Sequence, residues 1–97
     1  MRPIRITGVT GTSAVAPLDV YCTSPASVII ESVGAGEQMQ YTFDDVFNAA
    51  ITPVWVNLGA AVAGSAVSGQ TPYGARGVRC TGMVPADVLN ISQQSIV

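Results

Sequence analysis

Histidine and lysine are both missing from this chain, and only 10% of its 97 residues carry a charge. Without histidine, the commonest general base and the commonest zinc ligand are unavailable. Without lysine there is no Schiff-base nucleophile and no ammonium to cradle a phosphate. No GxxxxGK[ST] segment occurs, and the scattered glycines do not form a dinucleotide-binding fingerprint after a strand. These gaps remove most ways of building a small enzyme, and the chain is read as non-catalytic, with no cofactor and no metal.

The charge deficit has a second consequence. An ordinary soluble domain is about 25% charged, and a small domain has much surface to solvate. Here the net charge is −2 and the hydrophobic fraction 48%, with a mean hydropathy of +0.44. Either Thr, Ser, Asn and Gln solvate the surface, or copies of the chain or a partner cover much of it. The size of the deficit favours the covered surface. All positive charge sits on Arg2, Arg5, Arg76 and Arg79. A pI of about 4.5 argues against nucleic-acid binding, which needs a basic stripe able to neutralise several phosphates. Arginine without lysine suits planar, bidentate pairing at an interface, so Arg5, Arg76 and Arg79 are candidate interface residues. Whether Arg76 and Arg79 pair with Asp87 in the same chain or with an acid on a neighbour stays open.

Ninety-seven residues provide for a single domain, 1–97. Folding a chain this short buries roughly 60–65% of the surface exposed when unfolded, so stability rests on a modest core. Met1-Arg2-Pro3-Ile4-Arg5-Ile6 lacks the apolar run of a signal peptide, and the apolar stretch at 60–67 is short and broken by Gly64 and Ser65. The expectation is a protein made in a cytoplasm and not associated with membrane. Cys22 and Cys80 are then buried thiols rather than a disulfide, and Asn90-Ile91-Ser92 has no meaning as a glycosylation sequon.

What the chain does contain is period-two alternation, interrupted by Gly, Pro, Ser and Thr about every eight to twelve residues. Ile4 and Ile6 alternate with Arg5 and Thr7 in a first strand ending near Gly8. A second strand is expected at 18–22 and a third at 27–33, where Val28-Ile29-Ile30 is apolar on both faces, as in a central strand covered on both sides. Gln38-Met39-Gln40-Tyr41-Thr42-Phe43 puts Met39, Tyr41 and Phe43 on one face and is the clearest strand. Asp44 and Asp45 would cap one helical turn at 44–50. Pro53 ends that turn, and 53–58 resumes alternation with Val54, Val56 and Leu58 inward. The segment 59–72 reads as a loop of small uncharged residues, Val78 and Cys80 as inward positions of a late strand, and Leu89 and Ile91 as the inward face of a terminal one. Six to eight short strands without intervening helices specify an all-β fold, a small antiparallel β-sandwich or barrel-like domain.

Three constellations could carry chemistry or binding. Asp44-Asp45 with Glu37 or Glu31 could hold a hard cation or act as paired carboxylates, but neighbours on a strand point to opposite faces and a cap or turn explains them. Cys22 or Cys80 as a nucleophile has no histidine to activate it. Tyr41 belongs to the core by its alternation, while Trp55 and Tyr73 are candidate interface anchors. Trp55, opposite the Val54-Val56-Leu58 face, is either such an anchor or buried at a sandwich edge.

Ile4-Arg5-Ile6-Thr7-Gly8-Val9-Thr10-Gly11-Thr12-Ser13, Tyr41-Thr42-Phe43-Asp44-Asp45-Val46-Phe47 and Thr52-Pro53-Val54-Trp55 together resemble small virion structural proteins of tailed bacteriophages, of the kind encoded near the major capsid gene. The resemblance spans roughly the first sixty residues; from Gly59 to Met83 only the Arg76-Gly77-Val78-Arg79 stretch reads as anything familiar, a late strand. It implies a capsid decoration or cement protein, a homo-oligomer whose partners are the major capsid protein and its own copies, located in the virion and assembled in the host bacterial cytoplasm. A tail, neck or fibre component, or a host-glycan-binding module, is the alternative. No residue roles carry over from these strand and turn motifs.

Overall fold

The computed structural model describes residues 3–18, 25–31, 35–62 and 66–93. Among the described residues eight strands form: β1 Ile4–Thr7, β2 Ala16–Pro17, β3 Ala26–Glu31, β4 Gln38–Thr42, β5 Val56–Asn57, β6 Val67–Gln70, β7 Gly77–Thr81 and β8 Val88–Gln93. They make two four-stranded sheets, ordered β1-β8-β3-β6 and β2-β7-β4-β5, and every pairing is antiparallel. Except for β4 and β5, strands adjacent in sequence lie in opposite sheets. The chain is thus a small all-β sandwich in which nearly every connection crosses between layers.

Alternation along the strands builds the core between the sheets. Val28, Ile30, Leu89 and Ile91 from the first sheet meet Ala16, Met39, Val78 and Cys80 from the second, all buried in one cluster with Leu18, Leu58, Val62 and Met83. Register keeps this face continuous: Ile30 stands opposite both Leu89 and Val67, and Met39 opposite Cys80. A one-residue slip would turn all of these side chains outward.

Four expectations from the sequence need correction. The 59–72 segment contains β6, which pairs with β3 along Ser27–Gln70, Val28–Gly69, Ile29–Ser68 and Ile30–Val67. Its pattern is obscured because Gly69 occupies an inward position, where the Leu58 side chain fills the space, its Cγ 3.5 Å from where a Cβ would stand. Residues 44–50 form hydrogen-bonded turns instead of a helical turn, because their side-chain acceptors take the backbone N–H groups that a helix would use. The 53–58 strand shrinks to β5, and Val54 points to solvent at 71% exposure, while Leu58 alone of that face is buried. At the end of β4, Thr42 is fully buried and Phe43 half exposed, the reverse of the alternation, because the sandwich stops at Thr42 and the next residues fold back over its outer side.

The second strand, expected at 18–22, is β2 at Ala16–Pro17, with Leu18 buried after it; residues 19–24, including Cys22, lie outside the described residues. Cys80 is a buried free thiol. β3 is central as expected, but of Val28-Ile29-Ile30 only Val28 and Ile30 face the core, in line with Ala26. Ile29 is half-buried on the outer face, where a groove of about 340 Å³ runs between Pro3, Ser27, Ser68, Asn90 and Ser92.

Candidate functional site

Among the described strands, β4 and β5 are the one consecutive pair in the same sheet, and polar side chains shape the 43–55 connection between them. The Asp44 amide donates to Thr42 Oγ1 at 3.1 Å, which starts the turn away from β4. Asp45 Oδ1 accepts from the Phe47 amide at 3.0 Å, and Asn48 Oδ1 accepts from the Ala50 amide at 3.0 Å, giving two successive Asx turns. Backbone bonds from Asn48 to Asp45 and from Ile51 to Asn48 accompany them. Asp44 Oδ2 then accepts from the Val54 amide at 2.7 Å and closes the loop ten residues on. Asp44 and Asp45 therefore do turn work, as their sequence suggested, though without a helix.

Val46 anchors this loop to the sheet. Its Cγ1 sits 2.8 Å from where a Gly77 Cβ would be, with Thr42 Cγ2 and Val15 Cγ1 each at 3.4 Å from the same point. Only glycine leaves room for three methyl groups to converge there. With Val46 turned in, the loop turns its other apolar residues out: Phe47 is 74% exposed and Val54 71%, with Phe43, Ile51 and Val56 about half exposed. Phe43 meets Tyr41 edge-on, ring centroids 5.5 Å apart and planes at 82°, an arrangement that fixes the ring despite its exposure. Five exposed apolar side chains on one shaped loop and its flanks are a feature of binding surfaces.

Beside the loop, the outer face of the second sheet carries a polar ladder. Asn57, Gln40 and Arg79 are cross-strand neighbours on β5, β4 and β7. Arg79 Nε donates to Gln40 Oε1 at 2.8 Å, and Gln40 Nε2 donates to Asn57 Oδ1 at 3.1 Å. The Arg79 guanidinium lies 4.3 Å from the centroid of the Trp55 ring. Half-buried Trp55 is thus held by a cation–π contact, worth about 0.5–1 kcal/mol at a partly exposed site.

Of the interface candidates, Trp55 and Arg79 are brought together. Arg5 is exposed on the outer face of the other sheet, opposite Asn90. Tyr73, 73% exposed, and exposed Arg76 lie on the β6–β7 connection, where the Arg76 amide donates to the Thr42 carbonyl at 2.8 Å. That bond ties Arg76 to the same end of the sandwich as the loop. Phe47, Ile51 and Val54 were not singled out as interface residues, because exposure of an apolar residue in a turn has no local signature.

The carboxylates do not assemble as one group. Glu37 precedes β4 and Asp44 and Asp45 follow it, so the whole strand, about 17 Å of extended chain, lies between them, and Glu31 is exposed at the end of β3. Glu37 instead hydrogen-bonds Asp87; both are buried. Burial, the largest influence, pushes the Glu37 carboxyl above its ordinary value; its own backbone N–H, next in size, pulls it down, and the bond and charge of Asp87 push it up further. Cys80 is pushed up to about 11, by burial and then by Glu37 and Asp87, which leaves the thiol protonated and unreactive near neutrality. Among the described residues, no three His, Cys, Asp or Glu side chains converge to hold a metal ion, and no helix is long and apolar enough to cross a membrane.

Against protein-family models, curated proteins and solved structures, the chain shows no match. The reading of function therefore rests on its own surface chemistry and on the resemblance of its strand and turn motifs.

Proposed function

We propose that this chain is a non-catalytic virion structural protein, a capsid decoration or cement subunit that binds between major capsid subunits and beside its own copies through the 43–56 face. The observation that carries this reading is the loop held by Asp44, Asp45 and Asn48, which exposes Phe47 and Val54 in a fixed arrangement. Fully burying a Phe or Val side chain is worth about 1.5–3 kcal/mol. A loop already shaped before contact loses little further conformational freedom on binding. Contacts of that size, repeated over a shell, oppose its expansion collectively even when each is weak. The low charge of the chain fits the same reading, since a covered surface needs few charges.

The test is co-sedimentation of the purified chain with phage capsids, together with its sedimentation velocity alone. A double variant, Phe47→Ser with Val54→Ser, is expected to keep the wild-type thermal midpoint and lose capsid binding or self-association. A wild-type chain that stays monomeric and has no affinity for capsids refutes the proposal. The tail, neck or fibre reading gains if the chain binds tail structures instead. A glycan-binding role is weaker, because Arg79 already occupies a face of the Trp55 ring; glycan binding abolished by Trp55→Ala is the result that would restore it.

A further inference from the structure

At the end of the sandwich remote from the 43–55 loop, a polar pair is sealed under backbone. Glu37 is 2% exposed and Asp87 fully buried. The two carboxyl groups are hydrogen-bonded to one another, and Glu37 Oε2 has no hydrogen-bond partner. Two ionised carboxylates in contact repel strongly, and neither can donate the bond between them. A hydrogen bond from one carboxyl to the other requires a proton on one of them.

Asp87 Oδ2 accepts from the Val84 amide at 3.0 Å, and the Asp87 amide donates to the Val84 carbonyl at 2.9 Å, so Asp87 organises the 84–87 turn leading into β8. A carboxylate engaged in that way favours its ionised form. Glu37 also accepts from its own backbone N–H, but burial outweighs that bond and its Oε2 is left unpartnered, so Glu37 is the better site for the proton. We infer that Glu37 is held as a neutral carboxylic acid donating to the Asp87 carboxylate, and that this proton is a latch fastening the 84–87 turn to the head of β4.

The latch sits where several chain segments meet. The Gly36 amide donates to the Val62 carbonyl and the Val62 amide to the Glu37 carbonyl, at 2.8 and 2.9 Å. Gly11 and Met83 exchange a pair of 2.8 Å bonds just beside the turn. Gly82, at φ 71°, places the spot where its Cβ would stand 3.0 Å from the Gly36 carbonyl oxygen. Among the described residues, the ionisable group facing the pair from β7 is Cys80, whose thiol stays neutral. The 8–13, 59–62 and 82–84 segments and β8 itself carry no ionisable side chain; Glu31, cross-strand from Val88 beside Asp87, and Arg5, cross-strand from Asn90, are both exposed. Glu37 is buried, so base reaches its carboxyl through a local opening of this corner.

The sign follows from proton linkage. A Glu protonated in the folded state and ionised when unfolded adds stability below its ordinary value of 4.5, and that stability falls as pH rises through the folded value. Within that window the folding constant drops by up to about tenfold per pH unit for the one proton. Denaturant unfolding from about pH 4 to about pH 9 tests this in wild type and in Glu37→Gln, whose amide still donates to Asp87 but cannot ionise. Wild type is expected to lose stability with rising pH and Glu37→Gln to lack that loss; identical pH slopes overturn the latch. If the variant does not fold, infrared spectroscopy of the wild type serves instead. A protonated-carboxyl band persisting above the ordinary Glu range and disappearing on titration supports the inference, and its absence overturns it. Amide exchange localises the effect: Val84 and Val62 are expected to lose protection in that titration before Val28 and Leu89, and simultaneous loss overturns a latch confined to this corner. Stabilisation by added calcium ions that vanishes in Glu37→Gln also overturns it, by assigning the pair to a cation.

Discussion

Replacing Gly77 by alanine asks whether the 43–55 loop is held on the sheet by Val46. Gly77 does not adopt a positive φ, so alanine suits its backbone and by itself would stabilise by about 0.4–1 kcal/mol through the unfolded chain. The added methyl, however, would stand 2.8 Å from Val46 Cγ1 and 3.4 Å from Thr42 Cγ2 and Val15 Cγ1. The first distance is well inside the optimal carbon–carbon separation of about 3.5–4.0 Å. Val46 has a single χ1 torsion and no longer stem to bend aside, so the loop must shift or lift. Overpacking of this kind costs about 1–3 kcal/mol, and the net expectation is a loss of about 1–2 kcal/mol after the backbone gain. For a domain of this size, that lowers the thermal midpoint by about 4–8 °C per kcal/mol.

Val46→Ala supplies the control. Alone it is expected to cost a little, because Val46 is only half-buried. Combined with Gly77→Ala it removes the clashing methyl, so the double variant is expected to be more stable than Gly77→Ala alone, with a coupling of at least about 0.5 kcal/mol. Calorimetry or denaturant unfolding of the four proteins reads the cycle. A Gly77→Ala protein as stable as wild type, or two costs that simply add, would refute the placement of Val46 over Gly77 and with it the docking of the loop.

Other expectations follow from the same geometry. Asp44→Ala removes the acceptor for the Val54 amide and should cost about 1 kcal/mol, with faster hydrogen exchange at Val54 as the local readout. Arg79→Lys loses the Nε donor and the planar contact on Trp55, so tryptophan fluorescence should change while the midpoint moves by less than about 1 kcal/mol. Leu89→Ala empties a fully buried site between the sheets and should cost about 2–5 kcal/mol in denaturant unfolding. Cys80, with its thiol at about 11, should resist alkylation near neutrality in the folded protein and react once the chain is denatured.

Much of the architecture was legible because a strand declares itself locally. Met39 and Tyr41, Val78 and Cys80, and Leu89 and Ile91 each alternate with polar neighbours, and all six lie in or against the core. β6 was not legible: its inward Gly69 has no side chain to show a pattern, and its place is set by Leu58 and by pairing with β3. Trp55 and Arg79 were singled out separately, but nothing along the chain says that a residue 24 positions away will stack on the ring. The exposed face of the 43–55 loop escaped for a similar reason, since Val54 inside an alternating run looks inward until the sheet is seen to end before it.

The sequence by itself determined the all-β fold class and the poverty of catalytic groups, because composition and period-two alternation are properties of neighbouring residues. Tertiary structure decided which apolar residues reach solvent, which glycine makes room for Val46, and which acid Glu37 meets. Each of those depends on two segments far apart in the chain arriving at one place, and neither segment encodes the other's arrival. Asp44 and Glu37, beyond opposite ends of β4, show the difference. Asp44 finds its structural role among its close neighbours, at Thr42 and Val54, whereas Glu37 acquires its state from Asp87, fifty residues on.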